Sequence, residues 1–193
     1  MAQSLPVSIC VYGAASDDIA PDYIQAGMAL GEGIAKRGWR LVFGAGDTGM
    51  MGAVLRGVKK EDGKAVGIAP FFFNEPGVLS DNLDDLLLVR TMRERKAFME
   101  SYASAFVMSP GGIGTLEEFF EVLVLKQLHQ LDAPIALLNT DGFFDPLLAT
   151  LDSMREKGFV SDSVFDLFAV FETPDDLLNW LEEQLSSGKP DQA

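Results

Sequence analysis

Two side chains on which much protein chemistry depends are almost missing here. Cys10 is the only cysteine and His129 the only histidine. No internal disulfide is possible, and a reducing compartment is the expected setting. One Cys and one His do not build the usual zinc sites, and HExxH and CxxC spacings are absent. A Ser-His-Asp hydrolase lacks its GxSxG turn. Cys10 lies in an apolar run and reads as a small buried hydrophobe. His129 falls at the end of a helical pattern, where it complements the helix dipole or faces water. Positive charge is scarce too, with 15 Lys and Arg against 29 Asp and Glu, a net charge of −14. Phosphate backbones are bound by basic surfaces, so no nucleic-acid polymer is expected as partner. A small anion needs only a local cluster of positive groups. Long hydrophobic runs are lacking as well. The opening MAQSLPVSICVYGAAS has no basic segment, and its apolar stretch is too short for a signal peptide or a membrane span. A cytoplasmic protein with no membrane partner is expected.

What remains is an ordinary globular composition, 48% apolar over 193 residues, enough for one sizeable core. Short apolar runs at 7–12, 40–44, 65–70, 86–90, 104–109, 134–139 and 167–171 predict strands. Helix-period segments at 22–37, 49–59, 92–103, 116–130, 144–157 and 175–186 separate most of them. Strands apolar on both faces and divided by helices predict an α/β fold: a single Rossmann-like, doubly wound parallel sheet with helices on both faces. One domain over 1–186 and a frayed polar tail over 187–193 complete the plan. In such sheets ligands bind beyond the carboxyl ends of the strands, where the strand order reverses. The connection 71–85 opens with three consecutive Phe and is expected to wall a pocket, meet another subunit, or fold over its own core.

The stretch 109–123, SPGGIGTLEEFFEVL, sets a problem of charge. A strand, a glycine turn and a helix aim free amides and the positive end of a helix dipole at an anion, yet two glutamates follow at once. Gly111, Gly112 and Gly114 would let a phosphate approach the backbone, and Thr115 offers a hydroxyl. Glu118 has two readings. Thr115 to Glu118 fits the T-x-x-E capping box, in which the acid bonds back to the cap; alternatively, Glu118 faces a ligand. A second glycine turn, GAGDTG (44–49), matches GxGxxG but follows the second strand, with no acid placed for a ribose hydroxyl, so a nicotinamide dinucleotide is a poor fit.

The densest positive cluster is TMRERKAFMESYA (91–103), with Arg90 just before it. On helical spacing Met92, Arg95, Met99 and Tyr102 share a face, which places Arg95 on or beside the apolar stripe. A guanidinium there needs an anion, Glu118 or a bound phosphate or both, unless it snorkels to water. Arg93 is expected on the solvated side.

MRERK (92–96) followed after one strand by PGGIGTLEE (110–118) resembles the signature pair of the LOG ("lonely guy") family, cytokinin riboside 5'-monophosphate phosphoribohydrolases long mislabelled as possible lysine decarboxylases. The resemblance runs over roughly 7–160. It takes in GAAS (13–16), LVFGAGDTGMMGAV (41–54), VGIAP (66–70) and KQLHQLDAPIALLNTDGFFDPLL (126–148). No pyridoxal-phosphate site is recognisable. The resemblance implies hydrolysis of the N-glycosidic bond of a purine nucleoside 5'-monophosphate, giving free base and ribose 5-phosphate. It implies Arg95 and Glu118 as the catalytic pair, and a phosphate loop of Gly111, Gly112, Gly114 and Thr115. Lys96, Gly13, Ser16, Gly46, Met92 and Glu75 stand as further substrate-binding candidates. It also implies a homodimer or larger assembly with a neighbouring subunit reaching the pocket, and nothing calls for a metal or cofactor. An AMP nucleosidase without cytokinin specificity, or a non-catalytic nucleotide carrier, are the alternatives. Three departures stand out: Ser104 in place of Asp, Ala45 in place of Gly, and Phe71 to Glu75 where relatives carry a basic residue and a longer spacer.

Overall fold

Residues 6–187 are described by a computed structural model. Seven strands form one sheet: β1 (Ser8–Tyr12), β2 (Arg40–Phe43), β3 (Lys64–Pro70), β4 (Asp85–Val89), β5 (Ala105–Met108), β6 (Ile135–Leu138) and β7 (Ala169–Phe171). Every pairing is parallel, in the order β4-β3-β2-β1-β5-β6-β7. The order reverses between β1 and β5, so the loops leaving those two strands diverge to opposite faces and leave a crevice between them.

Among the described residues six α-helices cover the sheet: α1 (Pro21–Lys36), α2 (Gly49–Lys60), α3 (Met92–Tyr102), α4 (Ile113–Gln127), α5 (Asp145–Glu156) and α6 (Pro174–Ser187). Alternation along β1 divides the core in two. Ile9 and Val11 pack under α1, α2 and α6 with Leu30, Ile34, Val54, Leu177 and Leu181. Cys10 and Tyr12 face α3, α4 and α5 with Met99, Phe119, Phe144 and Leu151. The Cys10 thiol is fully buried, and burial pushes its pKa up, as suits a core hydrophobe rather than a nucleophile.

Helix α4 starts three residues before the expected 116, at Ile113, with Gly112 as its cap. Thr115 is therefore inside the first turn, and the 115–118 capping box does not form. A T-x-x-E cap does operate one helix earlier. Thr91 Oγ1 accepts from the Glu94 amide at 3.1 Å, and Glu94 reaches back to accept from the Arg90 amide at 2.7 Å. At its far end α4 stops at Gln127, and His129 takes the left-handed position (φ 56) usually given to glycine. There it is exposed to water. Ser187 closes α6 rather than opening a tail, and the rest of the segment expected to fray lies outside the described residues. Among the described residues no helix is long and apolar enough to cross a membrane.

Candidate active site

A cavity of about 490 Å³ opens at the reversal of strand order. Its rim is built from the turns after β1, β2 and β5 and from the loop after β3. The turns after β1 and β5 are joined, the Ala14 amide donating to the Pro110 carbonyl at 3.1 Å. Gly13 allows this: a methyl there would collide with the Ser109 hydroxyl. Gly111 is constrained in the same way, packed under the Thr115 hydroxyl. Beside Gly112 and Gly114, in contrast, a methyl would meet nothing within 4 Å. Both glycines line the cavity, so the first-turn amides of α4, which have no carbonyl ahead of them to bond, face open space.

At the floor lie Arg95 and Glu118, with Nη1 and Oε1 3.3 Å apart and side chains only 11% and 8% exposed. Arg95 also donates from Nε to the Ile68 carbonyl at 3.2 Å, which fixes the guanidinium to the tip of β3. Gly44 makes room for it, because a methyl at 44 would occupy the guanidinium's place. The sequence suggests that Arg95 holds Glu118 ionised. In the folded protein burial outweighs Arg95, and the Glu118 pKa is pushed up to about 7, with Glu117 adding to the rise. A carboxyl poised there exchanges a proton at neutral pH.

Of the candidates, Arg95, Glu118, Gly112, Gly114, Thr115, Gly13, Gly46 and Met92 line this one cavity. Three do not. Lys96 is buried but turned away, its ammonium paired with Glu117 and Glu121 on the outer side of α4. Ser16 is exposed on the turn after β1, where its hydroxyl accepts from the Asp18 amide. Glu75 is exposed on the long loop after β3, beyond the 3-10 turn Phe71–Phe73. That loop sends Phe73, Val78 and Leu79 into the cavity instead, which with Met51 and Met92 makes one wall apolar. The Phe run does wall the pocket, through Phe73, whereas the polar neighbours of Val78 and Leu79 hide those two in the sequence. Tyr12, Gly44 and Thr48 also line the cavity, the last two from within the GAGDTG turn. Among the described residues no group of three or more His, Cys, Asp and Glu is placed to hold a metal ion.

A family model described as possible lysine decarboxylase matches residues 51–181. A rice protein (Oryza sativa subsp. japonica), named probable cytokinin riboside 5'-monophosphate phosphoribohydrolase LOGL5, is 38% identical over 175 residues, 91% of this chain and 71% of that protein. The chain belongs to the LOG family. Cytokinin riboside 5'-monophosphate phosphoribohydrolase LOG3 of Arabidopsis thaliana is 34% identical over 91% of this chain and 81% of its own length. The LOG fold is also shared with more distant solved structures. The molybdenum cofactor carrier protein of Chlamydomonas reinhardtii superposes with TM-score 0.71 at 24% identity, covering 94% of this chain and 99% of that one. The molybdenum cofactor binding protein of Rippkaea orientalis gives 0.71 at 20% identity, covering 95% and 99%. Those two likenesses are of fold alone.

Two of the departures from the LOG pattern have a visible place. Ser104 lies at the opposite end of the sheet from the cavity, where its hydroxyl accepts from the Ser8 amide at 3.1 Å. Ala45 is buried with φ 65, a left-handed conformation that glycine adopts freely and alanine does not. Its carbonyl accepts from the Ser80 amide at 2.9 Å, and Gly46 pairs with Leu79, so the loop after β3 is stapled to the turn after β2.

Proposed function

We propose that this chain is a phosphoribohydrolase that cleaves the N-glycosidic bond of adenosine 5'-monophosphates, preferring an apolar N6 substituent, to free base and ribose 5-phosphate. The observation that carries this reading is the buried Arg95–Glu118 pair beneath an open helix N-terminus. The two anions then have separate places, with the 5'-phosphate on the amides of Gly112 to Thr115 and the carboxylate facing the ribose. As the C1'–N bond lengthens, the sugar becomes cationic, and a carboxylate next to C1' stabilises that state more than the ground state. Glu118 takes a proton from the attacking water, whose oxygen bonds to C1', while the bond's electron pair leaves with the base. The proton then goes to the base nitrogen. Phosphate binding remote from the bond holds the ribose over the carboxylate. The wall of Phe73, Val78, Leu79 and Met92 supports the preference for an apolar substituent. Incubation with AMP and with isopentenyl-AMP, followed by chromatography, tests the reading: release of isopentenyladenine faster than adenine is expected. Equal release favours an AMP nucleosidase, and tight binding of nucleotide without any free base overturns hydrolysis in favour of a carrier.

Gly114→Ala separates binding from folding. The added methyl meets nothing, and alanine is favoured over glycine in a helix by up to about 1 kcal/mol, so thermal stability is expected to hold or rise. The same methyl stands over the amides assigned to phosphate, and KM for nucleotide is expected to rise roughly tenfold, as for loss of a hydrogen bond to a charged group.

The same reading includes a homodimer. Helix α4 exposes Ile113, Phe120, Val124 and Leu128 along one side, and α3 exposes Phe98 and Tyr102. An apolar surface of that extent suits a second copy.

A further inference from the structure

Arg95 and Glu118 account for the floor of the cavity, but their chain neighbours form a second connection that the reaction as described does not use. Lys96 has a side chain only 10% exposed, although it touches neither the cavity nor bulk solvent in any useful way. A buried ammonium is costly to desolvate and persists only where anions compensate it. Its partners are Glu117 and, at 2.7 Å, Glu121, with side chains 55% and 36% exposed. Burial pulls the Lys96 pKa down, yet the bonds to Glu117 and Glu121 more than reverse this and hold it raised.

The geometry gives that arrangement a purpose. Helix α3 lies against β1, β2, β3 and β4, and charged side chains join it to the first turns of α4. Consecutive residues of α3 meet consecutive residues of α4: Arg95 meets Glu118 on the cavity side, while Lys96 meets Glu117 and, one turn on, Glu121 outside. The buried face of α4, with Phe119, Val122 and Leu123, sets the roll of that helix coarsely. Two ion pairs, about 100° apart around it, narrow the roll further.

We propose that Lys96 is a positioning residue: its double ion pair to Glu117 and Glu121 fixes the rotation of the first turns of α4 and thereby aims Glu118 at Arg95 and the ribose. This rests on the hydrolase reading of the same cavity. Lys96 acts through Glu118 and does not touch substrate.

The charges around Glu118 supply a signature. Arg95 and Lys96 face it from α3, Glu117 and Glu121 from its own helix, and Tyr12 and Cys10 from β1; Glu100 adds negative charge beside Glu121. Removing Lys96 takes away a cation and leaves Glu117 and Glu121 unneutralised, so the Glu118 midpoint rises. Removing Glu117 and Glu121 together lowers that midpoint, yet it releases the same clamp.

The experiment compares Lys96→Met, Lys96→Arg and the double variant Glu117→Gln/Glu121→Gln with the parent. The readouts are kcat, KM and the carboxyl titration of Glu118 by NMR in protein carrying 13C-glutamate, assigned through Glu118→Gln. Lys96→Met and the double variant are both expected to lower kcat roughly tenfold, as small misplacements of a reacting group do, with KM nearly unchanged. Their Glu118 midpoints move in opposite directions, and Lys96→Arg restores kcat. A raised KM with kcat intact makes Lys96 a substrate ligand and overturns the proposal. Unchanged kcat with an unmoved midpoint overturns it also. Should Lys96→Met fail to fold, the double variant, altered at the more exposed partners of the ion pairs, decides on kcat. Absence of base release from the parent fails the hydrolase reading instead. The titration then decides for Lys96 alone, opposite shifts supporting the placement and an unmoved midpoint overturning it.

Discussion

Glu118→Gln is expected to reduce base release by roughly 10³-fold, within the range for loss of a positioned acid–base group. Glutamine keeps the volume and neither takes the proton from water nor offers a negative charge to the developing oxocarbenium ion. No pH restores activity in this variant. In the parent, kcat/KM is expected to rise with pH to a plateau, with its midpoint near the Glu118 pKa of about 7, because the ionised form is the active one. The same group links folding to pH with a defined sign. Its folded pKa lies above the unfolded value, so its contribution to stability is complete below the unfolded pKa and is lost as pH rises through the folded one. Denaturant midpoints of the parent should therefore fall between about pH 4.5 and 7 more steeply than those of Glu118→Gln. Retained turnover in the glutamine variant would end the mechanism.

Arg95→Ala is expected to give a loss of comparable size at neutral pH, but of a different kind. Arg95 pulls the Glu118 pKa down against burial more than Lys96 does, so its removal drives that pKa higher and leaves the carboxyl protonated at pH 7. The activity of this variant should be roughly 10³-fold below the parent at pH 7 and should partly recover as pH is raised, because some of its deficit comes from lost ionisation. Only a pH series distinguishes the two variants; a single assay at neutral pH makes them look alike. A guanidinium that serves only to bind substrate would instead raise KM and leave the kcat reached at high pH near that of the parent.

The sheet was legible in the sequence because parallel strands must be apolar on both faces, and all seven runs fall where β1 to β7 form. The pairing of Arg95 with Glu118 was legible for a related reason: a guanidinium placed by helical spacing on an apolar stripe has to find an anion. The start of α4 was hidden because Gly112 and Gly114 read as turn, whereas Gly114 sits in the first helical turn, where few backbone bonds are at stake. The direction of Lys96 depends on how far α3 and α4 are rolled about their axes, and one-dimensional spacing carries no such angle. Glu75 depends on the course of a long loop without periodicity. The protonation of Glu118 is a contest between burial and a neighbouring charge, decided only once both distances exist.

The place of the reacting pair in the sheet has a mechanical side. Arg95 is tied to the end of β3 in one wing, through the Ile68 carbonyl, and Glu118 belongs to the helix that follows β5 in the other. The seam between β1 and β5 runs between them, so the 3.3 Å contact works as a gauge of that seam. Loosening of the strands there would separate the guanidinium from the acid well before the wings themselves came apart, and turnover would fade on warming ahead of the melt.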